Sequence, residues 1–103
     1  MTAVIRSQLH LQAKAGRRDG LLQRVDGLEV SLALREQPGF LSAAVLVPFD
    51  DEESLVVEGS WSSAEHFERW NESPARERLL VELRDLLAKD PETRVYHVAD
   101  AIS

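Results

Sequence analysis

With 103 residues, 44% apolar and 29% charged, the chain (1–103) suits one soluble domain with a single core and is not expected to be disordered. Eighteen acidic against 12 basic residues give a net charge of -6, and no basic run exceeds Arg17-Arg18, so a nucleic-acid partner is not expected. The absence of cysteine excludes disulfides and thiolate metal sites and fits a cytoplasmic setting. Met1–Arg6 lacks a signal-peptide core, and no apolar stretch nears the ~20 residues needed to cross a membrane.

Residues 3–12 alternate. Ile5, Ser7, Leu9 and Leu11 fall on one face and Arg6, Gln8, His10 and Gln12 on the other, which predicts a strand with one apolar face. Ala15-Gly16 breaks it. From Arg17 to Glu36 the spacing is helical, with Leu21, Leu22, Val25, Leu28 and Leu32 as its apolar stripe. Gly27 weakens the middle by roughly 1 kcal/mol relative to alanine. Pro38-Gly39 stops the helix.

Residues 40–49 and 54–61 read as two strands of a hairpin, joined by the acidic turn Asp50-Asp51-Glu52-Glu53. Simple alternation puts Phe40, Ala44 and Leu46 on one face and Leu41, Ala43, Val45, Val47 and Phe49 on the other. Leu55 and Val57 oppose Val56 in the same way. A sheet apolar on both faces needs a second cover, and a second copy of the chain is the simplest one. A homodimer through the open sheet face is therefore expected, with an open-faced monomer as the alternative.

Ser62 and Glu65 match a capping box, so a helix is expected to begin there. Ser73-Pro74 predicts a second N-cap followed by proline at the first helical position. The longer helix that follows carries Leu79, Leu80, Leu83, Leu86 and Leu87 on one stripe and ends at Asp90-Pro91. Residues 93–99 make a last strand. The order β-α-β-β-α-β, with its second helical element split, predicts an α+β, ferredoxin-like fold with a four-stranded antiparallel sheet.

Several short motifs stand at matching places in this order: Lys14-Ala15-Gly16, Arg35-Glu36-Gln37-Pro38-Gly39-Phe40, Trp61-Ser62-Ser63 with Phe67 and Trp70, Ser73-Pro74 and Val95-Tyr96-His97-Val98. With them the chain resembles the antibiotic biosynthesis monooxygenase (ABM) family of dimeric α+β barrel proteins. The resemblance covers nearly the whole chain. It implies a dimeric barrel and a range of activities, from cofactor-free, quinone-forming monooxygenases of aromatic polyketides to haem-degrading enzymes and related cyclases.

The resemblance also implies a site. A tryptophan at the Trp70 position lines a cavity between helices and sheet, while on its own Trp70 reads as a core residue packed on Phe67 at i, i+3. His66 stands one turn earlier, where some cofactor-free members carry asparagine. Its ordinary pKa of about 6.5 suits a proton acceptor, and a solvent-facing helix histidine is the competing reading. Trp61 closes the core beside the helix start. Ser7 falls near a polar active-site asparagine of some members, with Gln8 possible if the register slips by one. Haem-degrading members need an axial histidine on the helix after Trp70. Leu80 stands there and residues 74–89 contain no histidine, which argues against haem degradation.

Other polar clusters are weaker. His10 and His97 lie on strands expected to be neighbours, but no third ligand has the right spacing, so no metal is expected. Asp50–Glu53 lacks the glycine and ligand spacing of a calcium loop. Arg76, Arg78 and Arg84 read as solvated helix positions. The expected function is a cofactor-independent monooxygenase or related tailoring enzyme, using molecular oxygen on a hydrophobic, polyketide-like aromatic substrate. His66 and Trp70 are its candidate catalytic residues, and Ser7, Phe67, Trp61 and Leu80 its candidate substrate contacts. The alternatives are a non-oxygenase cyclase, a ligand-binding barrel, and a domain whose pocket is filled by its own side chains.

Overall fold

Alternation along the first strand sets the core face. In the computed structural model, which describes residues 4–26 and 28–102, β1 (Ile5–Gln12) buries Ile5, Ser7 and Leu11 beneath the helices and turns Arg6, Gln8 and His10 away from them. The other elements are α1 (Arg18–Val25), α2 (Leu28–Arg35), β2 (Phe40–Leu46), β3 (Ser54–Trp61), α3 (Ala64–Asn71), α4 (Pro74–Leu83), a 3-10 turn (Arg84–Leu86) and β4 (Glu92–His97). The four strands form one antiparallel sheet in the order β2-β3-β1-β4, the expected α+β ferredoxin-like topology. No helix among the described residues is long and apolar enough to cross a membrane.

The expected single helix from Arg17 to Glu36 is two helices. The sequence between them is Asp26-Gly27, a pair of low helix propensity, and the Asp26 N–H closes the last turn of α1 on the Leu22 carbonyl at 2.9 Å. The break resets the buried face. Leu21 and Val25 are buried as expected, but on α2 Leu32 is 51% exposed and Leu34 is buried. The Leu28 side chain lies outside the described part of the structure.

A second correction concerns the hairpin. Phe40 pairs with Trp61 but Ser42 pairs with Ser60, so Leu41 is an extra residue and β2 carries a bulge there. Phe40, Ala43 and Val45 therefore face the helices, while Ser42, Ala44 and Leu46 face away. The outer face of the hairpin is mixed, with Ala44, Leu46 and Val56 beside Ser42, Glu58 and Ser60, and on the polar outer face of β1 Gln8 Nε2 donates to Glu58 Oε2 at 2.9 Å and His10 Nε2 lies 3.0 Å from Gln8 Oε1. Exposed apolar side chains include Leu46, Val47 and the fully exposed Phe49 along the hairpin arm, and Val95 and Tyr96 on β4. The acidic turn below is held by Asp51, whose carboxylate accepts from Ser54 Oγ and from the Glu53 and Ser54 amides, contacts that keep it below the usual aspartate range.

Two apolar clusters form between helices and sheet. One joins Leu11, Leu21, Val25, Leu55, Leu83 and Leu86; the other joins Ile5, Leu34, Trp61, Phe67 and Trp70. The α3–α4 junction matches expectation at Ser73, whose Oγ accepts from the Arg76 N–H with Pro74 as the first helical residue. The cap of α3 is Ser63 rather than Ser62: its Oγ accepts from the His66 N–H at 3.3 Å. The last helical turn closes at Leu86, short of Asp90-Pro91.

Gly39 fixes where α3 meets the sheet. It adopts φ +77°, and a Cβ there would fall 2.2 Å from Cγ of His66. Its carbonyl accepts from the Ser62 N–H at 2.9 Å. Gly39→Ala should therefore cost about 2–4 kcal/mol, from the left-handed φ and from steric overlap. Urea denaturation checks this, and adding His66→Ala should restore only part of the steric cost, because the Cβ of residue 66 stays 2.5 Å from the added carbon.

Candidate active site

The cavity between the two apolar clusters is built by one hydrogen bond and the glycine that permits it. Trp61 is fully buried, and its Nε1 donates to Ser7 Oγ at 3.1 Å across β3 and β1. Gly59 pairs with Ser7 in the register, so the indole lies over a position with no side chain. A Cβ on Gly59 would sit 3.0 Å from Trp61 Nε1 and 3.2 Å from Ser7 Oγ. The lone polar group on the apolar face of β1 thus has its partner, and no buried side-chain polar atom among the described residues lacks one.

An aromatic wall grows from Trp61. Trp70 stacks on it with ring centroids 6.4 Å apart and planes 25° apart, while Phe67 and Phe40 meet its edges at 6.0 and 5.5 Å. Phe67 and Trp70 project from the same face of α3 because they are three residues apart. Leu79, Leu80 and Leu83 of α4 close the wall opposite.

The enclosed space measures about 60 Å³, room for one or two waters rather than a large ligand. It runs across the sheet from Ala43 on β2 to Thr93 on β4. At the β2 end it shares Val25, Leu34, Ala43 and Val57 with an open groove of about 710 Å³ beside α1 and α2. Cavity and groove together offer the volume of a ligand site.

Five of the six expected site residues meet here: Ser7, Trp61, Phe67, Trp70 and Leu80 all line the cavity. His66 does not. Its ring lies against Gly39, with Nδ1 2.7 Å from Ser63 Oγ and 3.2 Å from Ser62 Oγ. The i, i+4 relation to Trp70 does not carry it to the cavity, because its side chain packs over the β2 entry. Gln8 takes the outer face, so Ser7 is the residue directed at the helices. His10 pairs with Glu92 and His97 with Ile5, which puts the two histidines at opposite ends and on opposite faces of β1 and β4. No metal-binding cluster occurs among the described residues.

Arg76 corrects the expectation of a solvated arginine. It is half-buried, lines the cavity, and donates from Nη2 to Thr93 Oγ1 at 2.9 Å. Burial pulls its pKa below the ordinary arginine value. The signal was present in the spacing: Arg76 precedes Leu79, Leu80 and Leu83 by three, four and seven residues, on the same helical stripe. Gly59 and Thr93 were also missed, since a strand glycine and an edge threonine carry no signal until the register is known.

A family model described as antibiotic biosynthesis monooxygenase matches residues 4–81, most of the chain. The chain belongs to the antibiotic biosynthesis monooxygenase family. Solved structures with the same fold include a monooxygenase from the gene ActVA-Orf6 of Streptomyces coelicolor, in complex with nanaomycin D, at 22% identity over 98% of this chain and 92% of that one, with a TM-score of 0.84. SnoaB, a cofactor-independent oxygenase from Streptomyces nogalater, aligns over 98% of both chains at 16% identity and a TM-score of 0.74. Rv0793 of Mycobacterium tuberculosis covers 96% of this chain and 98% of its own at 17% identity and a TM-score of 0.77. At these identities the likeness establishes the ABM fold alone. No curated protein matches the sequence.

The Trp61–Ser7 bond is directly testable. Ser7→Ala strands a buried indole N–H and should cost about 1–3 kcal/mol. The same change in a Trp61→Phe background should cost little, because no donor remains. Chemical denaturation of the four proteins measures this coupling, and equal costs in both backgrounds would contradict it.

Proposed function

We propose that this ABM protein is a cofactor-independent monooxygenase acting on a hydrophobic aromatic substrate held between helices and sheet. The observation that carries the reading is the aromatic slot itself: Trp61, Trp70 and Phe67 packed around a partly enclosed space with Ser7 Oγ at its floor. Family membership supports oxygenase chemistry. The Streptomyces coelicolor relative, a monooxygenase crystallised with nanaomycin D, and the cofactor-independent S. nogalater relative support a small-molecule substrate and a reaction without a resident cofactor.

The chemistry balances with oxygen alone. An electron-rich anthrone-type methylene loses a proton and its anion reduces oxygen. The resulting peroxide collapses to a carbonyl, with one oxygen atom retained and the other leaving as water with the two methylene hydrogens. The wall would contribute ring stacking by Trp70 and Phe67, orientation by the Ser7 hydroxyl, contact from Trp61 and Leu80, and exclusion of water. It presents neither imidazole nor carboxylate among the described residues, so its part is to stabilise the anion rather than to take the proton.

Metal-free oxygen uptake with an anthrone-type substrate tests this. Trp70→Phe should slow uptake roughly tenfold or more by misplacing the ring, while His66→Ala should keep a rate close to wild type. Absence of uptake with any such substrate removes the oxygenase reading. The small enclosed volume favours one rival, a domain whose pocket is filled by its own side chains, which predicts neither ligand binding nor oxygen consumption.

We also propose a homodimer, supported by the apolar hairpin arm Leu46, Val47 and Phe49, which stays exposed among the described residues. Size exclusion with light scattering should give twice the chain mass of 11.6 kDa. A monomer at micromolar concentration would overturn it.

A further inference from the structure

We propose that the cavity selects an aromatic molecule bearing an anionic oxygen, a carboxylate or a phenolate, and that Arg76 reads it. The inference rests on the cavity being a ligand site, as proposed above. Among the described residues Arg76 is the one charged side chain on the cavity wall, which has no acidic residue. In a chain with 18 acidic residues, it makes no ion pair among those residues. Its contact is the neutral Thr93 hydroxyl at 2.9 Å.

Two further features disfavour a cation at this place. Arg76 sits in the first turn of α4, two residues after Pro74, where the helix dipole opposes positive charge. It is also partly desolvated, which lowers its pKa. A planar guanidinium held by one hydroxyl, against an aromatic and aliphatic wall, still has donors for a carboxylate or phenolate. The anion then supplies the missing counter-charge and is itself stabilised.

The position of Arg76 sets the orientation of the ligand. Arg76 and Thr93 mark the β4 end of the slot, and Ala43 marks the β2 end. Three interstrand spacings separate β2 from β4, about 14 Å. The charged end of the molecule lies at β4, its rings lie under Trp70 and over Ser7, and any bulk extends past Val25 and Leu34 into the groove.

The test uses a matched pair of probes, anthraquinone-2-carboxylate and its neutral carboxamide. Both tryptophans of the chain line the slot, so quenching of intrinsic fluorescence reports occupancy, with calorimetry as a second readout. The carboxylate should bind wild type at least tenfold more tightly than the carboxamide. Arg76→Gln should abolish that preference and change carboxamide affinity by no more than about threefold, while Arg76→Lys should keep part of it. Thr93→Val, which leaves the helix untouched, should reduce the preference by loosening the guanidinium.

Equal affinity of the two probes for wild type, or a preference that survives in Arg76→Gln, would overturn the inference and leave the cavity reading intact. If neither probe binds wild type, the cavity reading fails and this inference fails with it. The carboxamide separates the two failures, because its binding does not depend on Arg76.

Discussion

Trp61 is the residue on which the site is built, and a hydrogen bond to Ser7 across a glycine is what holds it. A fully buried indole must satisfy its N–H. The nearest acceptor is on the neighbouring strand, and the ring reaches it only because Gly59 has no side chain to displace it. Once Trp61 lies flat over β3 and β1, three aromatic rings pack on its face and edges. The polar pair that looks like a local detail therefore sets the floor of the cavity and the seat of α3.

The seat is fixed a second time from the other side. His66 packs on Gly39 while the Ser62 N–H donates to the Gly39 carbonyl, so the N-terminus of α3 is clamped to the entry of β2. The clamp turns Phe67 and Trp70 inward and His66 away. A residue that reads as a proton acceptor thus serves as a packing element. The core separates into two clusters, one around Leu21 and Leu86 and one around Trp61. Their failure to merge leaves the slot between Val25 and Leu83 on one side and Leu34 and Trp70 on the other. A denser core would be more stable and would have no cavity, so the division carries a modest stability cost.

Much of the fold was legible in the sequence because local rules act without reference to the rest of the chain. The alternation of Ile5 to Leu11, the Ser73-Pro74 cap and the strand ending at Trp61 depend on neighbours a few residues away. What was not legible depends on register. Leu41 becomes a bulge only because Phe40 must meet Trp61 while Ala43 meets Gly59, and that bulge reverses the faces assigned by simple alternation. Leu34 replaces Leu32 in the core because the helix breaks, and the periodicity of the stripe does not carry across the break. In the site, the packing of Trp70 on Phe67 was legible from their spacing, and the place of Trp70 on a cavity came from the family resemblance. Arg76 was overlooked because arginine on a helix is usually solvated, although its place on the leucine stripe was visible.

The charge of the whole molecule and the charge of the slot have opposite signs, and the distances involved decide which one a ligand feels. The net charge is -6, which on its own would repel an anionic ligand from solution. At physiological ionic strength that repulsion is screened beyond about 8 Å. A half-buried guanidinium in direct contact with the ligand is screened less than that. The acidic surface therefore slows approach without cancelling the attraction at the site. Within the slot, the cation placed against the dipole of α4 costs about 0.3–1 kcal/mol in the empty protein, and that strain is relieved only when an anion sits in front of it. An empty site that is slightly destabilised by its own charge gains differential affinity for the anionic form of a ligand over the neutral form. On the oxygenase reading proposed above, with a substrate that must become an anion before it meets oxygen, the same arrangement would lower the energy of the reactive state.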